Sequence, residues 1–572
     1  MFLFDWFRSF LPLHNPIGFG VADFLELALA LLALILYLGR ARFQPAAARF
    51  AERTGWCMLL LGVLPIALRL ALLWRFPVPT PSFSDDFGYL MLADTLRHFR
   101  FANPTHPLHQ FFEAVFILQE PAYASSFPMG QGIVLAIGWT LLGGPWAGVL
   151  VSAGALCALT YWMLRAWTTP LWSLVGGFLA VCLFGPLCQW TNLYWGGAVS
   201  GIAGCLIFGS LPRLANGWRT RDAVLLGAGL GLQMLTRPYE FVFVAAAAVL
   251  YLRRTEWRRP EQKSRWLPGP RQLRAAGAAA LAFLPAVLLM LAQNRQVTGS
   301  FTTLPYQESR YQYAIPAAFT FQPNLTPHRA LTPEEDLDYR AQAAIHDEAV
   351  KLGFSGRFVD RIKFYRFFFL TPLYLVLPAF LLALREWRFR WVLLAILLLA
   401  VGTNFYPYFY PHYIAAASCL FVLVAVVALR RASRFPVVVP VILVLCAFQF
   451  LVWYGVYLLG NERMLLGMAR YQTWNFINYG DAEGRIAINK RLAQSPGKQL
   501  VFVRYSWQHM FHEWIHDAAD PDSARVVWAA DLGPDENQKL LSYYPDRKAW
   551  LVEPDARPPL LIPYDLAPPK PD

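Results

Sequence analysis

Residues 56–74 read WCMLLLGVLPIALRLALLW, and shortly after them residues 84–99 read SDDFGYLMLADTLRHF. The first stretch is an apolar run of the length that crosses a bilayer. The second is amphipathic and opens with Ser84, Asp85 and Asp86, so its charge faces water or a substrate and not lipid. A carboxylate pair at the rim of a span can hold a cation or take a proton from an attacking hydroxyl. The same residues also suit a helix start, where serine caps and negative charge meets the helix dipole. From these residues alone both readings stay open.

Apolar runs recur along the whole chain. Its 572 residues are 56% hydrophobic, 16% aromatic and only 15% charged, the composition of a polytopic α-helical membrane protein. About twelve spans are expected, at 21–38, 56–74, 146–164, 171–187, 198–212, 222–236, 239–252, 275–292, 366–384, 391–407, 413–429 and 435–457. The first lacks a basic leading region and a small-residue cleavage site, so it is expected to be retained. Arginine and lysine gather in the loops 39–55, 213–221, 253–274, 385–390 and 430–434, while the alternate short loops 188–197 and 408–412 carry none. The basic set is therefore expected in the cytoplasm. That orientation places loop 75–129, loop 293–365, the tail and the acid pair on the side of the membrane away from the cytoplasm. The basic loops also account for the net charge of +13 without a nucleic-acid partner. All seven cysteines lie in or beside apolar runs and none in the tail, which favours core packing over a disulfide framework.

Three units follow: an additional span with a basic loop at 1–55, a membrane region at 56–460, and a tail at 461–572. Loop 75–129 is expected to hold two amphipathic surface helices, 87–97 and 108–118, split by the turn-rich ANPTHP that contains His106. The apolar segment Gly130 to Leu142 spans half a bilayer and is placed at the interface or as a re-entrant piece. Loop 293–365 begins with the aromatic TTLPYQESRYQY, which includes Tyr306, and continues into PEEDLDYRAQAA, an expected surface helix; such a long loop reads as a lid or substrate-binding element or else as a passive surface excursion. In the tail, KQLVFVRY, ARVVWAA and KAWLVEP predict strands, with helices near 507–517 and 535–542 between them. That order predicts a small α/β domain with a parallel sheet. No glycine-rich phosphate loop follows its first strand, so a nucleotide site is not expected.

Several short motifs carry chemistry. HMFHEWIH holds His512, Glu513 and His516 in the H-E-x-x-H spacing, which on a helix brings two imidazoles to one face and could ligate zinc. A small α/β tail is a poor scaffold for that chemistry, and no metal site is expected there. In AYASSFPMGQG, glycines let backbone approach the acid pair, where Gln131 could donate hydrogen bonds; a helix start is the alternative. LTRPYEF puts Arg237 between two spans, where a buried guanidinium suits a lipid phosphate, or else pairs with Glu240 or reaches the surface. NLYWGG (192–197) and NFYPYFYPHY (404–413) read as an interfacial aromatic belt or as stacking faces for sugar, with His412 as an acid, base or phosphate partner.

Taken in order, the outward acid pair, the SFPMGQG strip, the LTRP arginine and the late PHY motif resemble the GT-C glycosyltransferases, nearest the protein O-mannosyltransferase and aminoarabinose transferase (PMT-like) group. The resemblance covers about residues 56 to 430. It departs from the family at two points: Phe127, Pro128, Met129 and Gly130 stand where Y-P-P-G is usual, and Asp86 stands where glutamate is common. The resemblance implies a bacterial envelope setting, with the chain in the cell inner (plasma, cytoplasmic) membrane and transfer of a sugar from a polyprenyl-phosphate donor to an acceptor at the outer face of that membrane. It casts Asp85 as general base, Asp86 as a group that orients the acceptor, tunes the pKa of Asp85 or helps hold a divalent cation, and Arg237 as stabiliser of the departing phosphate. Gln131, His412, Tyr306 and His106 are the further expected substrate contacts. The acceptor is a lipid, a glycan or a protein of the cell envelope. Two other classes compete: a lipid or saccharide transporter or flippase, and a membrane-anchored binding protein acting through its tail.

Overall fold

The computed structural model describes residues 21–257, 269–460, 484–509 and 511–566. Residues 1–20 of the N-terminal unit, the basic stretch 258–268, and the join 461–483 between the expected membrane region and tail lie outside the described residues.

The chain is mostly helical. The first helices are α1 (Val21–Glu52), α2 (Thr54–Leu70) and α3 (Ser84–Arg97). After a short hairpin of β1 (Ile117–Leu118) and β2 (Ala124–Ser125) come α4 (Met129–Leu142), α5 (Pro145–Leu164), α6 (Pro170–Phe184), α7 (Ala198–Gly217), α8 (Thr220–Thr236), α9 (Pro238–Trp257) and α10 (Pro270–Thr298). Then follow α11 (Pro305–Tyr313), α12 (Pro333–Arg361), α13 (Trp387–Thr403), α14 (Ser418–Ala432) and α15 (Val438–Leu459). Among the described residues, five helices are long and apolar enough to cross a membrane: Pro145–Leu164, Ala198–Gly217, Pro270–Thr298, Pro411–Ala432 and Val438–Leu459. A sixth is counted if the bent pair Leu27–Gly39 and Gln44–Glu52 is one span. The other expected spans fall on shorter or more charged helices, and 366–384 falls on three successive 3-10 segments, Ile362–Phe368, Thr371–Leu375 and Leu377–Arg385.

Helix α5 lies at the centre of one bundle, packed against α2, α4, α6 and α7, while α8 packs against α7 and α10. Small residues allow these close crossings. A Cβ on Gly138 of α4 would come within 2.2 Å of the Gly148 amide nitrogen of α5.

Residues 484–566 form α16 (Arg485–Gln494), β3 (Lys498–Val503), β4 (Val526–Ala530), α17 (Pro534–Tyr543), β5 (Arg547–Glu553) and β6 (Leu560–Pro563). The sheet order is β4-β3-β5-β6, with the first three strands parallel and β6 antiparallel at the edge. Strand alternation sends Val501 and Val503 to one face, with Ile488 and Leu492 of α16. Leu500 and Phe502 face the other way, against Leu540 of α17 and against Phe111 and Phe112 of the loop between α3 and α4.

Two sequence expectations fail here, for one reason. Residues 108–118 form no second surface helix; they contain a 3-10 turn, His109–Phe112, and one strand of the hairpin. Burying Phe111 and Phe112 on the sheet outweighs the local helical period. Likewise, the described residues of 507–517 form no helix, because that segment runs extended across α3 and ties its own polar groups to neighbours.

Candidate functional site

The acid pair sits at the first turn of α3, and its two members have different surroundings. Asp86 is fully buried and occupies the third helical position. Its Oδ2 accepts hydrogen bonds from the amides of Ser82 (3.2 Å) and Phe83 (3.4 Å), and its Oδ1 accepts one from the Tyr194 amide (2.9 Å). It satisfies amides at the helix start that have no partner within the helix, so the capping role belongs to Asp86. Asp85 is partly exposed, and the positive charge of Arg237 acts on it.

Burial raises both carboxyls. Asp85 is pushed up to about 6, with Arg237 pulling it back down. Asp86 is pushed up to about 7 by burial; the Tyr194 and Ser82 amides work against that rise and the charge of Asp85 adds to it. Neighbouring carboxyls titrate as a pair, so near neutral pH this one can exchange a proton.

The loop that supplies the Tyr194 amide is itself held in place. Gln131 Nε2 donates to the Tyr194 carbonyl (2.7 Å), and the Tyr194 hydroxyl donates to the Pro79 carbonyl (2.9 Å). Arg69, fully buried in α2, donates to Asn192 Oδ1 (2.9 Å) and to the carbonyls of Phe76 (3.2 Å) and Pro77 (3.1 Å), and lies over Trp146. One guanidinium thus ties both strands of backbone that meet at Asp86.

Beside Asp85 is a cavity of about 310 Å³, within the size range of small-molecule sites. Its wall includes Arg237, Glu240, Tyr306, Arg310, Tyr406, Tyr408 and Tyr413, with Tyr89 of α3 and Gln293 of α10. The charge of Asp85 reaches Tyr306 and Tyr408 of that wall. Arg237 stands at the break between α8 and α9, with its guanidinium 5.1 Å from the centre of the Tyr413 ring. Arg310 donates to the carbonyls of Pro316 and Ala317 (3.2 Å each) and lies over Phe319. Gly130 allows α4 to start against the end of α8, since a Cβ there would meet Thr236 Oγ1 at 2.2 Å. Glu240 stands on the same wall as Arg237 and interacts with it by charge, so the expected pairing of these two is present beside the rings, and the two arginines are the groups that suit an anionic ligand.

The expected site residues separate into groups. Arg237 and Tyr306 share the cavity wall and both interact by charge with Asp85, while Asp86 follows Asp85 on α3 with its partners off the wall. Gln131 is off the cavity wall and acts on Tyr194. His412 is buried one layer away, packed edge-on against Trp195 and Tyr413. His106 is elsewhere: its ring meets Tyr544 Oη (3.2 Å) and Asp522 (3.4 Å), joining the first loop to the tail. The H-E-x-x-H residues diverge. His512 faces Ser82, Glu513 accepts from the Tyr505 hydroxyl (2.7 Å), and the His516 ring packs on Phe87 and Trp528. Among the described residues, no group of three or more His, Cys, Asp or Glu side chains is arranged to hold a metal ion. The sequence reading missed Arg69, although a charge inside an apolar run is itself a signal. It also missed Arg310 and the Tyr194 amide; a backbone donor leaves no side-chain trace to find.

No family model matches the chain, and no curated protein matches it. In structure it is similar to ArnT from Cupriavidus metallidurans in the apo state, with TM-score 0.48 and 12% identity, covering 88% of this chain and 93% of that one. The same protein bound to undecaprenyl phosphate matches with TM-score 0.47 and 12% identity over 87% and 93%. The Archaeoglobus fulgidus oligosaccharyltransferase in complex with zinc and sulfate matches with TM-score 0.42 and 13% identity over 87% and 67%. These are likenesses of backbone course.

Proposed function

We propose that this chain transfers a sugar from a polyprenyl-phosphate-linked donor to an acceptor of the cell envelope, at the outer face of the cytoplasmic membrane. The observation that carries this reading is the division of labour in the acid pair beside the cavity. Asp86 is fixed by three amides, whereas Asp85 is partly exposed next to a hollow that holds Arg237 and Arg310 among tyrosines.

In this mechanism Asp85 accepts the proton of the acceptor hydroxyl as that oxygen attacks the anomeric carbon. The bond from the anomeric carbon to the donor phosphate breaks, and the phosphate leaves with the electron pair. Arg237 stabilises the charge that grows on it, an interaction stronger in the transition state than before it. Asp86 holds the loop, and burial keeps the proton affinity of Asp85 high enough to serve as base. The tyrosines present faces on which a sugar ring stacks. The ordered motifs that resemble GT-C enzymes support the same assignment.

The test is transfer of radiolabel from a panel of polyprenyl-phosphate sugars into envelope fractions, with wild type and Asp85→Asn at matched expression. Label that depends on Asp85 establishes the transferase and identifies donor and acceptor class. Folded protein with no covalent product, but with saturable substrate movement in proteoliposomes, would replace this reading with transport.

A further inference from the structure

Residues 75–83 read RFPVPTPSF. Pro77, Pro79 and Pro81 remove every other amide, so this approach to the acid pair cannot build a ladder of its own. The structure supplies the missing partner from far along the chain. The Ser84 amide donates to the Phe511 carbonyl (3.3 Å), and the Glu513 amide donates to the Ser82 carbonyl (3.1 Å), so that Phe83 and His512 face each other in an antiparallel bridge. The His512 ring closes the contact: Nδ1 is 3.0 Å from Ser82 Oγ, and the ring lies 5.0 Å from that of Phe83. Ser82 and Phe83 are the two residues whose amides grip Asp86 Oδ2.

We infer that His512 is a positioning residue for the acid pair, and that the C-terminal segment around it straps the first turn of α3 in its working orientation. Further contacts hold the strap down. Asp94, farther along α3, accepts a hydrogen bond from the Ala519 amide (2.8 Å). Phe87 packs between the His516 ring (4.3 Å) and the Arg485 guanidinium (4.8 Å). On the strap's far side, His509 bonds Asp555 (2.8 Å) and also reaches the His512 carbonyl. The residues that spell a zinc motif in sequence thus serve as a backbone clamp. The inference rests on the glycosyltransfer reading only for its kinetic consequence.

The experiment compares full-length wild type with His512→Ala, His512→Asn and Ser82→Ala in detergent. Amide hydrogen exchange of residues 82–87 is the readout independent of chemistry. His512→Ala is expected to speed that exchange, His512→Asn to restore protection through a side chain that still reaches Ser82, and Ser82→Ala to fall between. In transfer assays His512→Ala should lower kcat by about 10- to 100-fold with KM nearly unchanged, as a small misplacement of a catalytic group does. Its acid limb should move to higher pH, because loosened amides no longer favour the ionised form of Asp86. Wild-type exchange at 82–87 in both His512→Ala and Ser82→Ala would overturn the inference. So would a lowered kcat without any change in the pH limb or rescue by asparagine, which marks a general loss of fold. If wild type transfers no sugar, the function reading fails while the exchange result still decides the strap.

Discussion

Two walls meet at the acid pair. One is built on the helical bundle, where Arg237 stands at the break between α8 and α9 and the tyrosines 406, 408 and 413 come from the segment after α13. The other is built from the tail, where segment 511–513 lies against 82–84 through backbone hydrogen bonds and one imidazole. The first wall offers charge and rings to a cavity; the second offers geometry to the backbone that carries Asp85. A charged side chain in a hollow can change the energy of a transition state directly, whereas a strap can act only through the position of another group.

That contrast ranks the expected effects of substitution. Asp85→Asn should be the most damaging, with transfer falling by about 10²- to 10⁴-fold in a radiolabel assay and the thermal midpoint little changed. A variant that keeps its rate would remove Asp85 as base. Arg237→Gln should follow, with a loss of about 10²- to 10³-fold, read as a lower kcat/KM for the lipid-linked donor. If Arg237→Gln changed only protein stability, the cavity wall would be a packing feature and the contrast between the walls would disappear.

The pH profile is next. Asp85 works as base only when ionised, and its carboxyl is raised to about 6 beside one raised to about 7. The transfer rate should rise with pH through that range and fall about tenfold per pH unit below it. A rate flat between pH 5 and 8 would contradict the assignment. Stability should move in the opposite direction through carboxyls on α12 and in the tail. Burial raises Glu335 to about 8, Asp338 to about 7 and Asp517 to about 8. A carboxyl whose folded value lies above its unfolded value stabilises fully below the unfolded value, near 4. That contribution is lost as pH rises through the folded value. The Tm should therefore drop by a few degrees from pH 6 to pH 9, and the drop should shrink in Asp338→Asn. The smallest effect belongs to His516→Ala, which removes a ring packed between Phe87 and Trp528. It should lower Tm slightly, and a chelator should leave the Tm of wild type and variant unchanged.

Legibility in the sequence followed the range of the forces involved. Helix α3 was readable because its signals are local: Ser84 and the aspartates start it, and the apolar positions repeat at a helical period. Three strands of the sheet fall on apolar stretches read from residues 498–554 for a similar reason. Residues 108–118 carry an equally good local pattern, yet Phe111 and Phe112 gain more by covering a sheet formed almost four hundred residues later. The H-E-x-x-H spacing points to one face only if the segment is helical, and here Glu513 and His512 are committed to an extended course. At the site, Asp85, Asp86, Arg237 and Tyr306 could be named from residue type and order. Arg69, Arg310 and the Tyr194 amide could not, since their importance depends on which distant backbone they touch.

By itself the sequence determined that the chain is a largely apolar, mostly helical protein and that an acid pair stands just beyond one of its apolar runs, because hydrophobic periodicity and charge placement are written residue by residue. The tertiary structure decided which aspartate is fixed and which is partly exposed. It also decided which tyrosines and arginines share a cavity with Tyr306, and that the tail lies against the residues preceding Asp85. Those facts depend on long-range packing and on backbone donors, and neither is set by the neighbours of a residue along the chain.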